Sequence, residues 1–186
     1  KSPMIVLPDA DLEKTIPGLA QAIFFHQGQV CTAGTRLYVH NSIHDQVLEG
    51  IAEASKGLKI GHGLDPETTM GPLISSGQLQ KVMGYLDEGK ASGAELVCGG
   101  GRVGECGFFM EPTVLAGTTN DMSVSCQEIF GPVLAAQGYD DDSLDAIAAK
   151  ANDSIFGLAA SIWTRDISAA HKLAKKVKAG SVWINQ

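Results

Sequence analysis

No pair of cysteines in this chain is spaced as C-x-x-C, and no histidine lies at a metal-ligand interval from any of the four, Cys31, Cys98, Cys106 and Cys126. Those absences argue against a zinc site, and no other metal site is expected. Disulfides are not required either, because 186 residues can bury an adequate core without staples. A reducing, cytoplasmic setting is therefore expected. Basic residues are scarce: 14 Lys and Arg against 21 Asp and Glu leave a formal charge of −7. The one basic cluster, Lys172, Lys175, Lys176 and Lys178, reads as the solvated face of a helix, so no nucleic-acid partner is expected. No apolar run approaches the roughly 20 residues that span a bilayer, and no signal peptide is recognisable, so no membrane partner is expected. Internal repeats and low-complexity linkers are missing as well. What remains, 44% hydrophobic and 19% charged, is the composition of an ordinary globular domain over residues 1–186. The chain begins without methionine and stops just after a strand-like run, and is expected to be an excised domain.

Hydrophobic patterning predicts alternating strands and helices. Met4-Ile5-Val6-Leu7, closed by Pro8, suits a strand buried on both faces. A helix follows to about His26, capped by Asp9 or Asp11, with a kink or restart expected at Pro17. After a strand at 36–40, an amphipathic helix opened by Asn41 or Ser42 presents Ile43, Val47, Ile51 and Ala54. Residues 61–72 read as loop. A helix over 76–92 presents Leu79, Val82, Met83 and Leu86. Glu95–Cys98 is a strand ended by Gly99-Gly100-Gly101, a hairpin or surface loop, since no G-K-[ST] follows to make it a phosphate loop. Strands at 112–115, 134–139, 158–163 and 181–184 and helices at 143–151 and 167–177 complete the pattern. Ser143 is expected as a helix cap beside Asp140-Asp141-Asp142, and Gly157 and Gly180 as helix-terminating glycines. The predicted fold class is α/β, a mostly parallel sheet flanked by helices.

The stretch Phe24 to Arg36 stands apart. An apolar run ends in Gly-containing dipeptides, one cysteine lies between Gly28 and Gly34, and a β-like segment follows. Flanking glycines free the backbone and leave space around the thiol. A thiol at such a junction can sit near unpaired N–H groups that favour thiolate and later hold an oxyanion. The plainer alternative is a small buried hydrophobe, the usual state of a free cysteine.

Gly28-Gln29-Val30-Cys31-Thr32-Ala33-Gly34-Thr35-Arg36 resembles the cysteine motif G-Q-x-C-x-A-G-x-R of the NAD(P)-dependent aldehyde dehydrogenases. Glu128-Ile129-Phe130-Gly131-Pro132-Val133 is similar to that family's E-x-F-G-P-V segment, and Gly180 to Asn185 to its A-G-x-V-W-x-N segment. Lys1-Ser2-Pro3 resembles the end of E-L-G-G-K-S-P. The four blocks occur in order along the whole chain. The resemblance implies the catalytic-domain fold of that family and oxidation of an aldehyde to an acid. It makes Cys31 the nucleophile, passing through a thiohemiacetal and a thioester, with the Cys31 N–H as one oxyanion donor. Glu128 and Phe130 would hold the nicotinamide end of NAD or NADP, Gln78 and Lys81 would lie near the cofactor ribose, and Asn185 near the substrate pocket. It also implies that the thioester-hydrolysing glutamate, the second oxyanion donor, the nucleotide-binding domain and an oligomerisation segment lie outside these residues. The 186-residue chain alone is then expected to be inactive, and the parent to be a homodimer or homotetramer. The Val30 and Thr32 neighbours resemble members acting on aromatic or medium-length aldehydes, including phenylacetaldehyde. Two other functions fit parts of the pattern: a cysteine hydrolase, needing a histidine such as His26 against the thiol, and a non-enzymatic interaction module on the same fold.

Overall fold

A computed structural model describes residues 1–186. In chain order its elements are β1 (Ser2–Val6), α1 (Leu12–Phe24), β2 (Gly34–His40), α2 (His44–Lys56), α3 (Ser76–Ala91), β3 (Glu95–Cys98) and β4 (Thr113–Ala116). They continue with α4 (Ser123–Cys126), β5 (Val133–Tyr139), α5 (Leu144–Asn152), β6 (Ala159–Trp163), α6 (Ile167–Ala174) and β7 (Ser181–Ile184). The seven strands form one sheet in the order β3-β4-β5-β2-β1-β6-β7. Every pairing is parallel except the β3–β4 hairpin, so the α/β expectation holds.

Parallel strands connected through helices must be covered on both faces, and the side chains divide accordingly. Met4, Val6, Leu37 and Val39 pack with Leu19 and Ile23 of α1 and with Val47 and Ile51 of α2. On the other face Ile5, Tyr38 and Ile162 meet Ile147 of α5 and Leu173 of α6. Leu79, Val82 and Leu86 of α3 form a third cluster with Leu115, Val133 and Ile129. No helix is long and apolar enough to cross a membrane.

Topology fixes the site. Because β2 and β5 are parallel neighbours, the segments entering them arrive at the same, amino-terminal edge of the sheet. Arg36 pairs with Ala135, and five residues back from each stand Cys31 and Phe130.

Several local expectations are corrected. The first helix runs through Pro17 as a single element. Asp11 occupies its N-cap position but makes no capping hydrogen bond. Asp9 instead accepts from the Thr164 hydroxyl and the Arg165 and Asp166 N–H groups, so its carboxylate orders the turn after β6. The helix after β2 starts at His44, preceded by a short 3₁₀ turn in which the His40 ring accepts from the Ser42 N–H. The helix expected to reach residue 177 ends at Ala174. Gly157 and Gly180 do not terminate helices in left-handed conformation. The Gly180 N–H donates to the Gly157 carbonyl at 2.8 Å, and a Cβ on Gly157 would come within 3.1 Å of the Lys178 carbonyl oxygen. These glycines allow two entry loops to touch. Ser143 caps α5 as expected, and Ser75, not singled out from sequence, caps α3.

Candidate active site

Helix α1 ends at Phe24, and three successive residues then take left-handed backbone: His26 (φ 50°), Gln27 (φ 57°) and Gly28 (φ 67°). Such conformations are costly for residues bearing a Cβ and persist only where surrounding contacts enforce them. They form a tight turn closed by the Gln29 N–H donating to the His26 carbonyl at 3.0 Å, and a second turn follows, closed by the Ala33 N–H donating to the Val30 carbonyl at 3.0 Å. Cys31 lies in that second turn, exposed, so its thiol is open to a reactant rather than packed as a core residue. Its own N–H has no acceptor within the chain. That leaves an unpaired donor beside the sulfur, where an oxyanion would form.

The second segment approaches from β5. Phe130 is also left-handed (φ 61°), and the Glu128 carboxylate beside it is exposed, with no hydrogen-bond or ion-pair partner in the chain. Backbone packs on backbone between the two segments, because a Cβ on Gly28 would lie 2.2 Å from the Gly131 carbonyl oxygen. From α3, the Gln78 amide donates to the Ile129 and Phe130 carbonyls at 2.8 and 2.7 Å. Lys81 donates to the Glu128 carbonyl at 2.9 Å and lies 5.9 Å from the centre of the Tyr85 ring. Five of the six sequence-derived residues, Cys31, Glu128, Phe130, Gln78 and Lys81, thus belong to one constellation, in which Gln78 and Lys81 hold backbone.

Asn185 is elsewhere. It is left-handed (φ 55°), its amide donates to the Thr164 carbonyl and accepts the Thr164 N–H, both at 3.0 Å, and it adjoins Asp11 and Lys14 at the start of α1. Cys31 follows the far end of that helix, which is about 20 Å long at 1.5 Å per residue. Two residues before Asn185, however, Trp183 reaches the thiol region. With Phe25, Val30, Thr32 and Gln186 it borders a groove of about 270 Å³ that contains no charged side chain. Trp183 lies in the V-W-x-N block and Phe25 in the cysteine stretch, but neither carries a site role from sequence, and only the fold places them together.

A larger cavity, about 410 Å³, opens at the opposite, carboxyl edge of the sheet among Asp9, Asp141, Asp142 and Tyr139. That is the edge where open parallel sheets usually bind ligands. Here no cysteine or histidine lines it, and Tyr139 is occupied in donating to the Val6 carbonyl at 2.9 Å. Cys31, Glu128 and Phe130 lie at the amino edge.

No histidine is hydrogen-bonded to Cys31. His26 is exposed, His40 and His44 face Asp142 and Asp45, and the His62 ring accepts from the Leu64 N–H. The pairing required of a cysteine hydrolase is not formed.

Under the site, Arg36 is buried without a carboxylate partner. Its guanidinium donates to the Lys1 carbonyl at 3.0 Å and to the Tyr38 hydroxyl and Ala151 carbonyl at 2.8 Å each. The Tyr38 hydroxyl donates onward to Asn120 at 2.8 Å. Burial raises the Tyr38 phenol above its usual range, against the lowering effect of the guanidinium. Lys1, the other buried cation, donates to the Val124 carbonyl at 2.8 Å. Desolvation, with Arg36 adding to it, pushes that ammonium down to about 7.

Comparison with known proteins covers the whole chain. The model of the aldehyde dehydrogenase family matches residues 1–186. A betaine aldehyde dehydrogenase of Mesorhizobium japonicum is 46% identical over 189 residues, covering 100% of this chain and 38% of that protein. The NAD+ complex of an aldehyde dehydrogenase from Bacillus cereus superposes with a TM-score of 0.96 at 42% identity, over 100% of this chain and 38% of the other. An indole-3-acetaldehyde dehydrogenase bound to NAD+ gives 0.96 at 43% identity, with the same coverage of 100% and 38%. The chain therefore spans less than two fifths of the length of these relatives.

Proposed function

Because this chain belongs to the aldehyde dehydrogenase family, we propose that its complete protein oxidises an aldehyde to a carboxylic acid with NAD(P)+, and that residues 1–186 are the cysteine-bearing domain. The observation that carries this reading is the meeting of the Cys31 turn with the Glu128–Phe130 loop, set by the parallel β2–β5 register. The Cys31 sulfur adds to the aldehyde carbon as a thiolate, giving a thiohemiacetal. The free Cys31 N–H donates to the oxygen that becomes negative. Collapse to a thioester and its hydrolysis release the acid and restore the thiol.

The cofactor supplies the acceptor for the hydride lost by the aldehyde carbon. This chain fits such a cofactor through Glu128, whose unpartnered carboxylate is free to accept from ribose hydroxyls, and through Phe130, whose ring offers an apolar wall. Gln78 and Lys81 contribute by fixing the backbone between those two residues. The two NAD+-bound relatives support NAD over NADP.

The groove beside Cys31 supports an uncharged aromatic or arylacetaldehyde substrate, because Phe25 and Trp183 offer flat apolar surface and no carboxylate faces a cation. Asn185 acts on this pocket indirectly, by fixing the turn after Trp183. We read the complete protein as a homo-oligomer, consistent with the exposed edge strand β7, and as cytoplasmic, consistent with four free thiols. Turnover of the complete protein on phenylacetaldehyde, indole-3-acetaldehyde, betaine aldehyde and hexanal, with NAD+ or NADP+, tests the assignment. The arylacetaldehydes should give the highest kcat/KM with NAD+; formation of neither NADH nor NADPH from any of the four would refute it.

A further inference from the structure

We infer that Gln29, with Gln27 beside it, is a positioning residue that couples the Cys31 turn to the Glu128 loop through the amino end of α3. The Gln29 side-chain carbonyl accepts from the Ile74 N–H at 3.0 Å, 45 residues away in sequence. Gln27, with its amide oriented to satisfy both ends, donates to the His26 carbonyl at 3.1 Å and accepts the Gly71 N–H at 2.8 Å. Two glutamines of the cysteine segment therefore hold the backbone of residues 71–74. The next residue, Ser75, caps α3 by accepting the Gln78 N–H at 3.2 Å. The Gln78 side chain then grips the carbonyls of Ile129 and Phe130. Finally, Gly131 lies against Gly28 and returns the chain of contacts to the cysteine segment.

This is a closed ring of three segments far apart in sequence, and its left-handed residues lie in the two loops that it joins. His26 and Gln27 are held on one side and Phe130 on the other, each in a conformation that needs outside contacts to persist. Two glutamines suit the task because each amide oxygen accepts a backbone N–H on a side chain long enough to cross between loops. Loss of the Gln29 acceptor frees the Ile74 N–H, loosens the entry to α3 and lets the Gln78 grip drift. Misplacement near 1 Å at a reacting centre costs about 100-fold in rate.

The structural arm of the test is independent of the functional reading; only the catalytic arm rests on it. In the complete protein without cofactor, Gln29→Met should speed amide hydrogen exchange in residues 128–133 at least about fivefold, although Gln29 does not touch them, while β1 and β6 keep wild-type protection. Gln29→Glu retains the acceptor for Ile74 and should stay near wild type. Unchanged exchange at 128–133 in Gln29→Met, or equal damage in Gln29→Glu, overturns the inference. If the methionine variant does not fold, Gln29→Asn, one methylene too short, carries the same expectation. In single turnovers with saturating NAD+ and aldehyde, Gln29→Met should slow NADH formation about 10- to 100-fold. Adding Gln78→Met should cost little more, and fully multiplicative losses would overturn the coupling. If the Gln29 variants show the exchange pattern but wild-type protein forms no NADH, the functional reading is refuted and the coupling stands.

Discussion

Gly28 and Gly131 meet backbone to backbone: a Cβ on Gly28 would lie 2.2 Å from the Gly131 carbonyl oxygen and 3.0 Å from the Pro132 nitrogen. Neither neighbour is a flexible side chain that can swing aside. Gly28 also has φ 67°, so an added side chain meets strain from its own backbone as well as the clash. The contact joins the nucleophile turn to the loop bearing Glu128 and Phe130.

Gly28→Ala should therefore destabilise the domain by roughly 2–4 kcal/mol and misplace Cys31 relative to Phe130. Urea denaturation of the complete protein measures the first effect and single-turnover kinetics the second. Gly63→Ala is the control, with no atom within 4 Å of its added Cβ, and wild-type behaviour in Gly28→Ala would refute the close contact.

The four thiols should separate in reactivity and in consequence. Cys31 and Cys106 are exposed, whereas burial raises the half-buried Cys98 thiol above its usual range, so iodoacetamide should reach Cys98 more slowly. Only Cys31→Ala should abolish aldehyde oxidation; alanine at Cys98, Cys106 or Cys126 should leave turnover within about threefold of wild type. Peptide mass mapping and turnover assays read the two outcomes.

For Glu128→Gln, the rate of hydride transfer should fall more than cofactor affinity. An unpaired carboxylate fits the task of setting the reactive end of a dinucleotide, whereas the dinucleotide as a whole has many contacts. Stopped-flow NADH formation beside cofactor titration separates the two quantities, and an unchanged transfer rate would refute a positioning role for Glu128.

Arg36→Met should cost roughly 3 kcal/mol, because it leaves the Lys1 and Ala151 carbonyls without a donor in a buried site. Arg36→Lys should recover little. One ammonium cannot reproduce the forked geometry that serves two carbonyls and the Tyr38 hydroxyl at once. Equilibrium unfolding in urea supplies the comparison.

Lys1 gives a pH dependence whose sign follows from its environment. Its ammonium falls from 10.5 when exposed to about 7 when buried, so the unfolded chain binds the proton more tightly between those values. Stability from this group should rise with pH across that window and be lost as pH falls toward 7. Above about 9 the raised Cys98 and, from about 10, the raised Tyr38 and Tyr139 oppose it, since they ionise first in the unfolded chain. In the complete protein, unfolding free energy between pH 7 and 9 should increase less steeply in Lys1→Met than in wild type; identical slopes would refute the buried charge.

Sequence alone determined the α/β class and most of the elements, because strand and helix periods are local properties of a chain whose helices each bury one face. Its resemblance to the aldehyde dehydrogenases also marked Cys31, Glu128 and Phe130 through short motifs. Its local errors came from competition between neighbours: Asp9 or Asp11 suits a helix cap by sequence, but Asp11 makes no capping bond and three donors in the turn after β6 claim the Asp9 carboxylate. Tertiary structure decided which segments meet. The β2–β5 pairing brings residues 31 and 130 to one edge, while the β6–β7 pairing sends Asn185 to the start of α1 and sets Trp183 beside Phe25. It also turned Gln78 and Lys81 toward backbone carbonyls and made Gln27 and Gln29 acceptors for residues 71 and 74. A hydrogen bond across 45 positions leaves no periodic trace, since it depends on where the sheet places both ends rather than on either local sequence.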